Sequence, residues 1–169
     1  TAAVNVAPGL ATASNGSRCG TGTVALSVTS IPAGCTIDWY SVATGGDALL
    51  SGNANFITPS ISTTTTYYAE SRNITTGFVS TTRTAVTATV NVAPELAIAS
   101  NGSRYESGTV DLSVTSVPAG STIDWYTAAT GGTLLLSGNA NYTTPSISTT
   151  TTYYAESRNT TTGCVSATV

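Results

Sequence analysis

The amino-acid sequence is an internal duplication with a period of 86 residues. Residues 1–83 align with residues 87–169 without a gap, and 64 of the 83 aligned positions are identical while 19 differ. The most recognisable repeated residues are Trp39 and Trp125, Tyr67 and Tyr153, and Pro8 and Pro94. A period of this length exceeds the roughly 20 to 50 residues of a solenoid unit, so we expect each copy to form its own core.

The duplication predicts two successive domains, residues 1–92 and residues 93–169. Val169 aligns with Arg83, and the Thr84–Val90 segment that follows in the first copy has no counterpart in the second. We therefore expect the last strand of the second domain to be truncated, and the domain to fold fully only when a neighbour supplies that strand.

The first seven residues also repeat an internal segment. Thr1–Ala7 (TAAVNVA) copies Thr87–Ala93 (TATVNVA), which closes one repeat and enters the next. We therefore expect the sequence to begin within a strand and further repeats to lie on both sides.

Short runs of alternating apolar and polar residues predict β-strands throughout both copies. In the first copy these runs are Val24–Ser30, Thr36–Tyr40 and Thr64–Arg72. The stretch Phe78–Val92 is rich in Thr and Val and contains no Gly or Pro after Gly77, so it predicts one long final strand of about 45 to 50 Å at roughly 3.3 Å per residue. That strand should couple neighbouring domains semi-rigidly. The pattern favours an all-β sandwich.

Aromatic residues at fixed spacing point to a particular kind of sandwich. Trp39 with Tyr67, and Trp125 with Tyr153, are predicted core residues, and each Tyr precedes a small residue by two positions. A Trp on the third strand with such a Tyr on a later strand resembles the immunoglobulin-like (Ig-like) fold.

Four segments of the first copy carry a narrower resemblance: Thr36–Tyr40 (TIDWY), Ala43–Gly46 (ATGG), Tyr67–Glu70 (YYAE) and Thr84–Val90 (TAVTATV). In combination they resemble the tandem Ig-like repeats of giant secreted cell-surface adhesins of Bacteroidota, of the flavobacterial gliding-motility type. The resemblance implies an exported, extracellular filament or stalk whose partners are neighbouring repeats of the same long chain. It implies no catalytic residue.

Composition excludes several classes of function. Charged residues make up 8% of the chain, the net charge is -3, and all five basic residues are arginines. We therefore expect no nucleic-acid partner, and no apolar run is long enough to predict membrane insertion. Because the sequence lacks His and Lys, a Ser or Cys nucleophile would lack its usual base, so we expect no enzyme. The acidic residues are not clustered in the sequence, so it predicts no metal site, and we expect no cofactor.

Asp38 and Glu70, copied as Asp124 and Glu156, are the acids that could act as a glycosidase pair. The competing interpretation is structural, with Arg72 pairing with either acid on the outward face of neighbouring strands. We favour the structural interpretation.

A second set of tyrosines alternates with the core residues: Tyr40, Tyr68, Tyr126 and Tyr154. They should form an exposed aromatic pair on each domain, suited either to stacking on sugar rings or to cross-strand packing.

The three cysteines do not pair off evenly. Cys19 and Cys35 are both replaced in the second copy, by Tyr105 and Ser121, which favours a Cys19–Cys35 disulfide within the first domain. The alternative is a bond from Cys19 to Cys164 between neighbouring domains.

Together these features predict a spacer or scaffold repeat of a large secreted cell-surface adhesin or filament with a role in surface adhesion or gliding, able to associate laterally or contact surface glycans. The alternative is a carbohydrate-binding accessory module of a secreted polysaccharide-degrading enzyme.

Overall fold

A computed structural model describes residues 6–166 of the chain. These residues fall into two compact units, with the boundary between Asn91 and Val92. Residues 6–91 are called unit 1 below, and residues 92–166 unit 2. Within residues 6–166 every regular element is a β-strand, which confirms the all-β prediction. The same residues contain no helix long and apolar enough to cross a bilayer.

Unit 1 consists of two β-sheets. Its strands are β1 (Thr12–Ser14), β2 (Gly16–Cys19), β3 (Ala25–Ser30), β4 (Cys35–Tyr40), β5 (Asn55–Ile57), β6 (Thr65–Asn73) and β7 (Thr84–Asn91). One sheet has the order β1-β3-β5 and the other the order β2-β7-β6-β4. All neighbours are antiparallel except β2 and β7, which run parallel.

Unit 2 repeats this plan with fewer strands. Its strands are β8 (Ile98–Ser100), β9 (Asp111–Ser116), β10 (Ser121–Tyr126), β11 (Leu134–Ser137), β12 (Asn141–Thr143) and β13 (Tyr154–Asn159). They form antiparallel sheets of order β8-β9-β12 and β11-β10-β13. Within the described residues, β2 and β7 have no counterpart in unit 2.

The core of unit 1 lies between its two sheets. Trp39 is fully buried and stacks on Phe56 of the facing sheet with ring centroids 5.4 Å apart, and Phe56 meets the edge of Tyr67 at 5.2 Å. The indole N–H of Trp39 donates to the Asn53 carbonyl at 2.9 Å, so this large side chain buries no unsatisfied donor. Residue alternation along β4 thus turns Trp39 toward the second sheet.

Unit 2 repeats the aromatic stack. Trp125 packs on Tyr142 at 5.6 Å, Tyr142 meets Tyr153 at 5.4 Å, and the Trp125 indole donates to the Asn139 carbonyl at 3.0 Å.

The predicted long strand Phe78–Val92 is wrong. Regular pairing begins only at Thr84, so β7 has eight residues and spans about 26 Å at roughly 3.3 Å per residue. The Ser80 hydroxyl donates to the Thr82 carbonyl at 2.8 Å and accepts from the Ser71 amide at 3.3 Å. These side-chain bonds form a turn that contains no Gly or Pro to mark it in the sequence.

The predicted Cys19–Cys35 disulfide is also wrong. Cys35 carries a free thiol, which lies 3.7 Å from the Ala33 carbonyl. Cys19 ends β2 and Cys35 begins β4, and β7 and β6 lie between these strands in the sheet. At about 4.8 Å per strand spacing, β2 and β4 are roughly 14 Å apart, whereas a disulfide needs Cα atoms within about 7 Å. A Cys19–Cys164 bond remains a prediction.

Candidate functional site

The residues considered for chemistry or ligand contact meet on the outer face of the larger sheet. Asp38 lies directly opposite Glu70 in the β4–β6 register, and Tyr40 lies opposite Tyr68. In unit 2, β10 and β13 place Asp124 opposite Glu156 and Tyr126 opposite Tyr154 in the same way. The face turned away from Trp39 therefore carries two acids and two tyrosines in each unit.

Asp38 is held by a two-point ion pair. Arg72 donates from Nε to Asp38 Oδ2 at 2.6 Å and from Nη2 to Oδ1 at 3.1 Å, and the Gly52 amide donates to Oδ1 at 2.9 Å. The carboxylate is buried, with 4% of the residue exposed. The sequence placed Asp38 on an exposed face, but the Arg72 side chain and the segment around Gly52 cover it. This arrangement joins β4, β6 and the connection between β4 and β5.

Unit 2 contains the same clamp with one more donor. Arg158 donates to Asp124 from Nε at 2.5 Å and from Nη2 at 3.1 Å. The Ser137 hydroxyl adds a bond to Asp124 Oδ1 at 2.6 Å, and the Gly138 amide adds one at 2.9 Å. The Ser137 hydroxyl comes from β11, which pairs with β10. The matching segment of unit 1 pairs with β4 at a single bridge between Trp39 and Leu50, and its Ser51 also helps to lower the pKa of Asp38.

Both aspartates have a pKa below the ordinary value of 3.8. Burial alone would raise the pKa of Asp38, but the hydrogen bond and charge of Arg72, together with the Gly52 amide, outweigh it. The hydrogen bond from Arg158 is the largest influence on the pKa of Asp124, and it prevails over the opposing effect of burial. Each carboxylate is therefore stabilised in its ionised form.

Glu70 has a different partner from the one the sequence suggested. Arg83 Nε lies 3.1 Å from Glu70 Oε1, and both side chains are buried. Arg83 Nη1 also donates to the carbonyls of Val42 and Gly45 at 2.8 and 2.7 Å. The role of Arg83 was missed because the second copy has Val169 at the same position, so the pairing is not repeated. The available signal was that a buried arginine requires an acidic partner, and this chain has few acids.

The Arg83 guanidinium also covers the ring of Tyr40. Its central carbon lies 3.2 Å from the ring centroid, which is a cation–π contact. Burial and the neighbouring Glu70 carboxylate raise the pKa of the Tyr40 hydroxyl. Tyr40 and Tyr68 are half-buried, so the predicted exposed aromatic pair is wrong for unit 1. Tyr126 and Tyr154 are half-buried as well.

This face is better suited to holding strands together than to catalysis. A glycosidase needs one carboxyl group whose pKa is raised so that it can donate a proton. The pKa of Asp38 is lowered, and Glu70 is ion-paired with Arg83. A sugar ring would have to displace Arg83 to reach the face of Tyr40.

Comparisons with known proteins identify the domain type. A family model described as "Ig-like domain CHU_C associated" matches the chain twice in succession, at residues 6–91 and 92–169. No curated protein matches the chain.

The solved structures that resemble this chain include the following three. The chicken CNTN1 FN1-FN3 domains are 12% identical with a TM-score of 0.49, and the match covers 97% of this chain and 65% of that one. Murine CEACAM1b is 16% identical with a TM-score of 0.42 and coverages of 94% and 96%. Domains A168-A170 of titin are 16% identical with a TM-score of 0.41 and coverages of 95% and 59%. The chain thus spans less than two thirds of the CNTN1 fragment.

Proposed function

The chain belongs to the family of CHU_C-associated Ig-like domains, as two adjacent repeats, and from this premise we propose that it is a spacer and scaffold of a large secreted cell-surface adhesin or filament, with a role in surface adhesion or gliding. The observation that carries the proposal is the parallel pairing of β2 with β7 in unit 1. Ig-like domains are typically non-catalytic, and we propose that neither unit is an enzyme.

The parallel pair gives unit 1 a mechanical role. Gly16–Cys19 lies beside Ala88–Asn91 with both segments running in the same direction, and the Gly20 amide adds a bond to the Asn91 carbonyl at 2.9 Å. Tension pulls the first strands toward the N-terminal side and β7 toward the C-terminal side. Because the two strands are parallel, this tension shears their hydrogen bonds together and does not open them one at a time. A domain built in this way resists extension.

Side-chain contacts reinforce the same strand. The Thr84 hydroxyl donates to the Ala11 carbonyl at 2.8 Å, and the Thr87 amide donates to Asn15 Oδ1 at 2.8 Å. Both bonds tie β7 to the first 15 residues, across more than 70 positions of sequence. They therefore bridge the two points at which tension enters and leaves unit 1.

Force spectroscopy on the chain, held at its two ends, tests the mechanical role. Unit 1 should unfold at a markedly higher force than unit 2, which lacks the parallel pair and serves as the matched internal control. Removing the Asn15 contact with Asn15→Ala should lower the force for unit 1 and leave unit 2 unchanged. Equal unfolding forces for the two units, or an unchanged force for unit 1 in Asn15→Ala, would contradict the mechanical role of the β2–β7 pair.

The carbohydrate-binding alternative requires an open aromatic face. Tyr40 is covered by Arg83 and Tyr68 is half-buried, so the structure gives this alternative no support in unit 1. A glycan array separates the two functions: the spacer should give no specific signal. Specific binding that disappears in Tyr68→Ala would replace the spacer proposal with the sugar-binding one.

A further inference from the structure

The outer face of the smaller sheet of unit 1 carries no charged residue. Leu26, Val28 and Phe56 are buried against the core, so the residues that alternate with them face outward. This surface, called the neutral face below, consists of Ser14, Ala25, Ser27, Thr29, Asn55 and Ile57. The charged residues of residues 6–91 all lie on the larger sheet or in the connections next to its strands: Arg18, Asp38, Asp47, Glu70, Arg72 and Arg83.

The neutral face is built of short side chains in regular rows. Ser14 pairs with Ser27 and Ser27 with Asn55, so three polar residues form one row across the three strands. In the next row Ala25 pairs with Ile57, which is 65% exposed. Short side chains lose little conformational entropy when a second surface covers them, and here no charge has to be desolvated. The neutral face can therefore be covered by another surface at low cost.

The same face of unit 2 differs in the apolar row. Asp111 and Thr143 stand at the positions of Ala25 and Ile57, and the Thr143 hydroxyl donates to Asp111 Oδ1 at 2.6 Å. Among residues 6–166, Asp111 takes part in no ion pair. Covering this face of unit 2 would thus remove a carboxylate from water without a compensating positive charge, which is unfavourable.

We infer that the neutral face is a self-association surface, on which unit 1 of one chain packs face to face against unit 1 of a second copy. The charge pattern selects this pairing. Unit 1 against unit 2 would bury Asp111, and unit 2 against unit 2 would bring two Asp111 carboxylates together. Two neutral faces meet without either penalty, and flat sheet faces pack on each other about 10 Å apart.

The size of the neutral face makes a single contact weak. Three strands at a spacing of about 4.8 Å and the six residues of β3 at roughly 3.3 Å each give about 300 Å² per copy. Stable complexes bury about 800 Å² per partner, so association should be reversible and appear only at high protein concentration. The inference goes beyond the spacer role and does not depend on it, because the unfolding force of a single chain is measured without a second copy.

Amide chemical shifts recorded by NMR over a wide range of concentrations test the inference. Every protein carries Cys35→Ser to prevent disulfides between chains, and unit 2 already has Ser121 at that position. Amides of residues 25–29 and 55–57 should shift with concentration, whereas those of residues 111–115 and 141–143 should not. The mean molar mass from static light scattering should rise over the same range.

A single charge in unit 1 should abolish most of this association. Ala25→Asp introduces the residue that unit 2 carries at the same position of the same sheet, so the fold accommodates it. The concentration-dependent shifts should fall at least about fivefold, because a carboxylate would then have to be desolvated. Ala43→Asp is the matched control: it adds the same charge in the exposed connection after β4 and should leave association unchanged.

The reverse exchange tests the same surface in unit 2. Asp111→Ala combined with Thr143→Ile gives unit 2 the apolar row of the neutral face. Residues 111–115 and 141–143 should then shift with concentration as well. The rise in mean mass should become steeper, because each chain would present two such faces.

Three results would overturn the inference. A constant mean mass with no shift on either face, in the starting protein and in the unit 2 double variant, excludes self-association. Equal effects of Ala25→Asp and Ala43→Asp would show that net charge, and not the neutral face, controls association. Shifts confined to other residues would place the contact on another surface. None of these results changes the outcome of the force measurement, so the spacer role and the neutral face can fail separately.

Discussion

Residues 1–83 and 87–169 are identical at 64 of 83 aligned positions, but among the described residues only unit 1 contains a strand at the position of β7. The centre of the core is insensitive to this difference, because Ile37 and Ile123 are 0% and 1% exposed, and Trp39 and Trp125 are 0% and 2% exposed. Exposure increases nearer the position of β7, where the counterparts of Leu26, Tyr67 and Ala69 are half-buried, and at Glu156, the counterpart of Glu70. The antiparallel pair β4–β6 and its clamp recur in unit 2 as β10–β13 without a counterpart of β7 among the described residues, and in unit 1 β7 extends the sheet.

Local and long-range contacts respond differently in the two units. Arg18 and Arg104 each donate to a backbone carbonyl five residues ahead, at 2.9 Å in both copies. Pairing of Gly16–Cys19 with β7 crosses about 70 residues and is present only in unit 1. The turn after β2 is thus encoded locally, whereas the strand character of β2 depends on its distant partner.

The substitution with the largest expected effect disrupts the packing of β7 against the core of unit 1. Val86→Asp places a charge at a fully buried position, and unit 1 should lose at least about 3 kcal/mol of stability. Native-state hydrogen exchange measured against urea reports this loss for each unit separately. Protection in Gly16–Cys19 and Thr65–Tyr67 should fall to that of residues 102–105 and 151–153.

Val92→Asp is the matched control for this substitution. Val92 is 85% exposed and lies just beyond β7, so the same change there should be nearly neutral. If Val86→Asp left the protection of Gly16–Cys19 unchanged, the difference between the units would not come from β7.

Arg83 provides the next test because unit 2 has Val169 at the same position. Arg83→Gln removes the partner of buried Glu70 and the cover of Tyr40, and unit 1 should lose about 2 to 3 kcal/mol. The same exchange measurement should show no change in unit 2. Arg83→Lys should give an intermediate loss because Lys retains the charge but not the planar fork. An equal loss in both units would show that Arg83 does not act locally.

The features that follow from alternation could be predicted from the sequence, and those set by distant partners could not. Alternation placed Trp39 in the core and Asp38 on the opposite face, and repetition separated the domains. The turn at Ser80 depends on side-chain hydrogen bonds in a Thr-rich stretch that reads as a strand. Cys35 was paired wrongly because the replacement pattern carries no information on strand order. Arg83 acts on residues up to 41 positions away, which no local pattern shows.

Acid should weaken the clamp that both units share. The folded-state pKa of Asp38 is lowered, so its ion pair contributes stability above the unfolded-state value of about 3.8, and this contribution is lost as the pH falls through the folded-state pKa. Both units should therefore lose stability as the pH is lowered from 5 into the range below 3.8. Asp38→Asn should flatten this dependence in unit 1 only, and Asp124→Asn in unit 2 only. An unchanged pH profile in either variant would exclude the clamp as its cause.

The smallest expected effect concerns one residue in the loop that follows residues 102–105 of unit 2. Glu106 has a φ of 62°, a left-handed conformation that costs a residue with a side chain about 1 to 2 kcal/mol, while unit 1 has Gly20 there with a φ of 67°. Glycine also stabilises the unfolded chain, by roughly 0.4 to 1 kcal/mol, so Glu106→Gly should stabilise unit 2 by about 0.5 to 1 kcal/mol.

The reciprocal substitution isolates the backbone contribution. A Cβ at Gly20 meets no atom within 4 Å, so Gly20→Ala should destabilise unit 1 by about 0.5 to 1 kcal/mol through its φ angle alone. Urea dependence of hydrogen exchange resolves both changes, because each affects one unit and leaves the other as its reference. Changes in stability of opposite sign and similar size would show that the two loops adopt the same conformation whether or not a strand lies beside them. If neither substitution changed stability, the left-handed turn would depend on β7 and would not be a local property of the repeat.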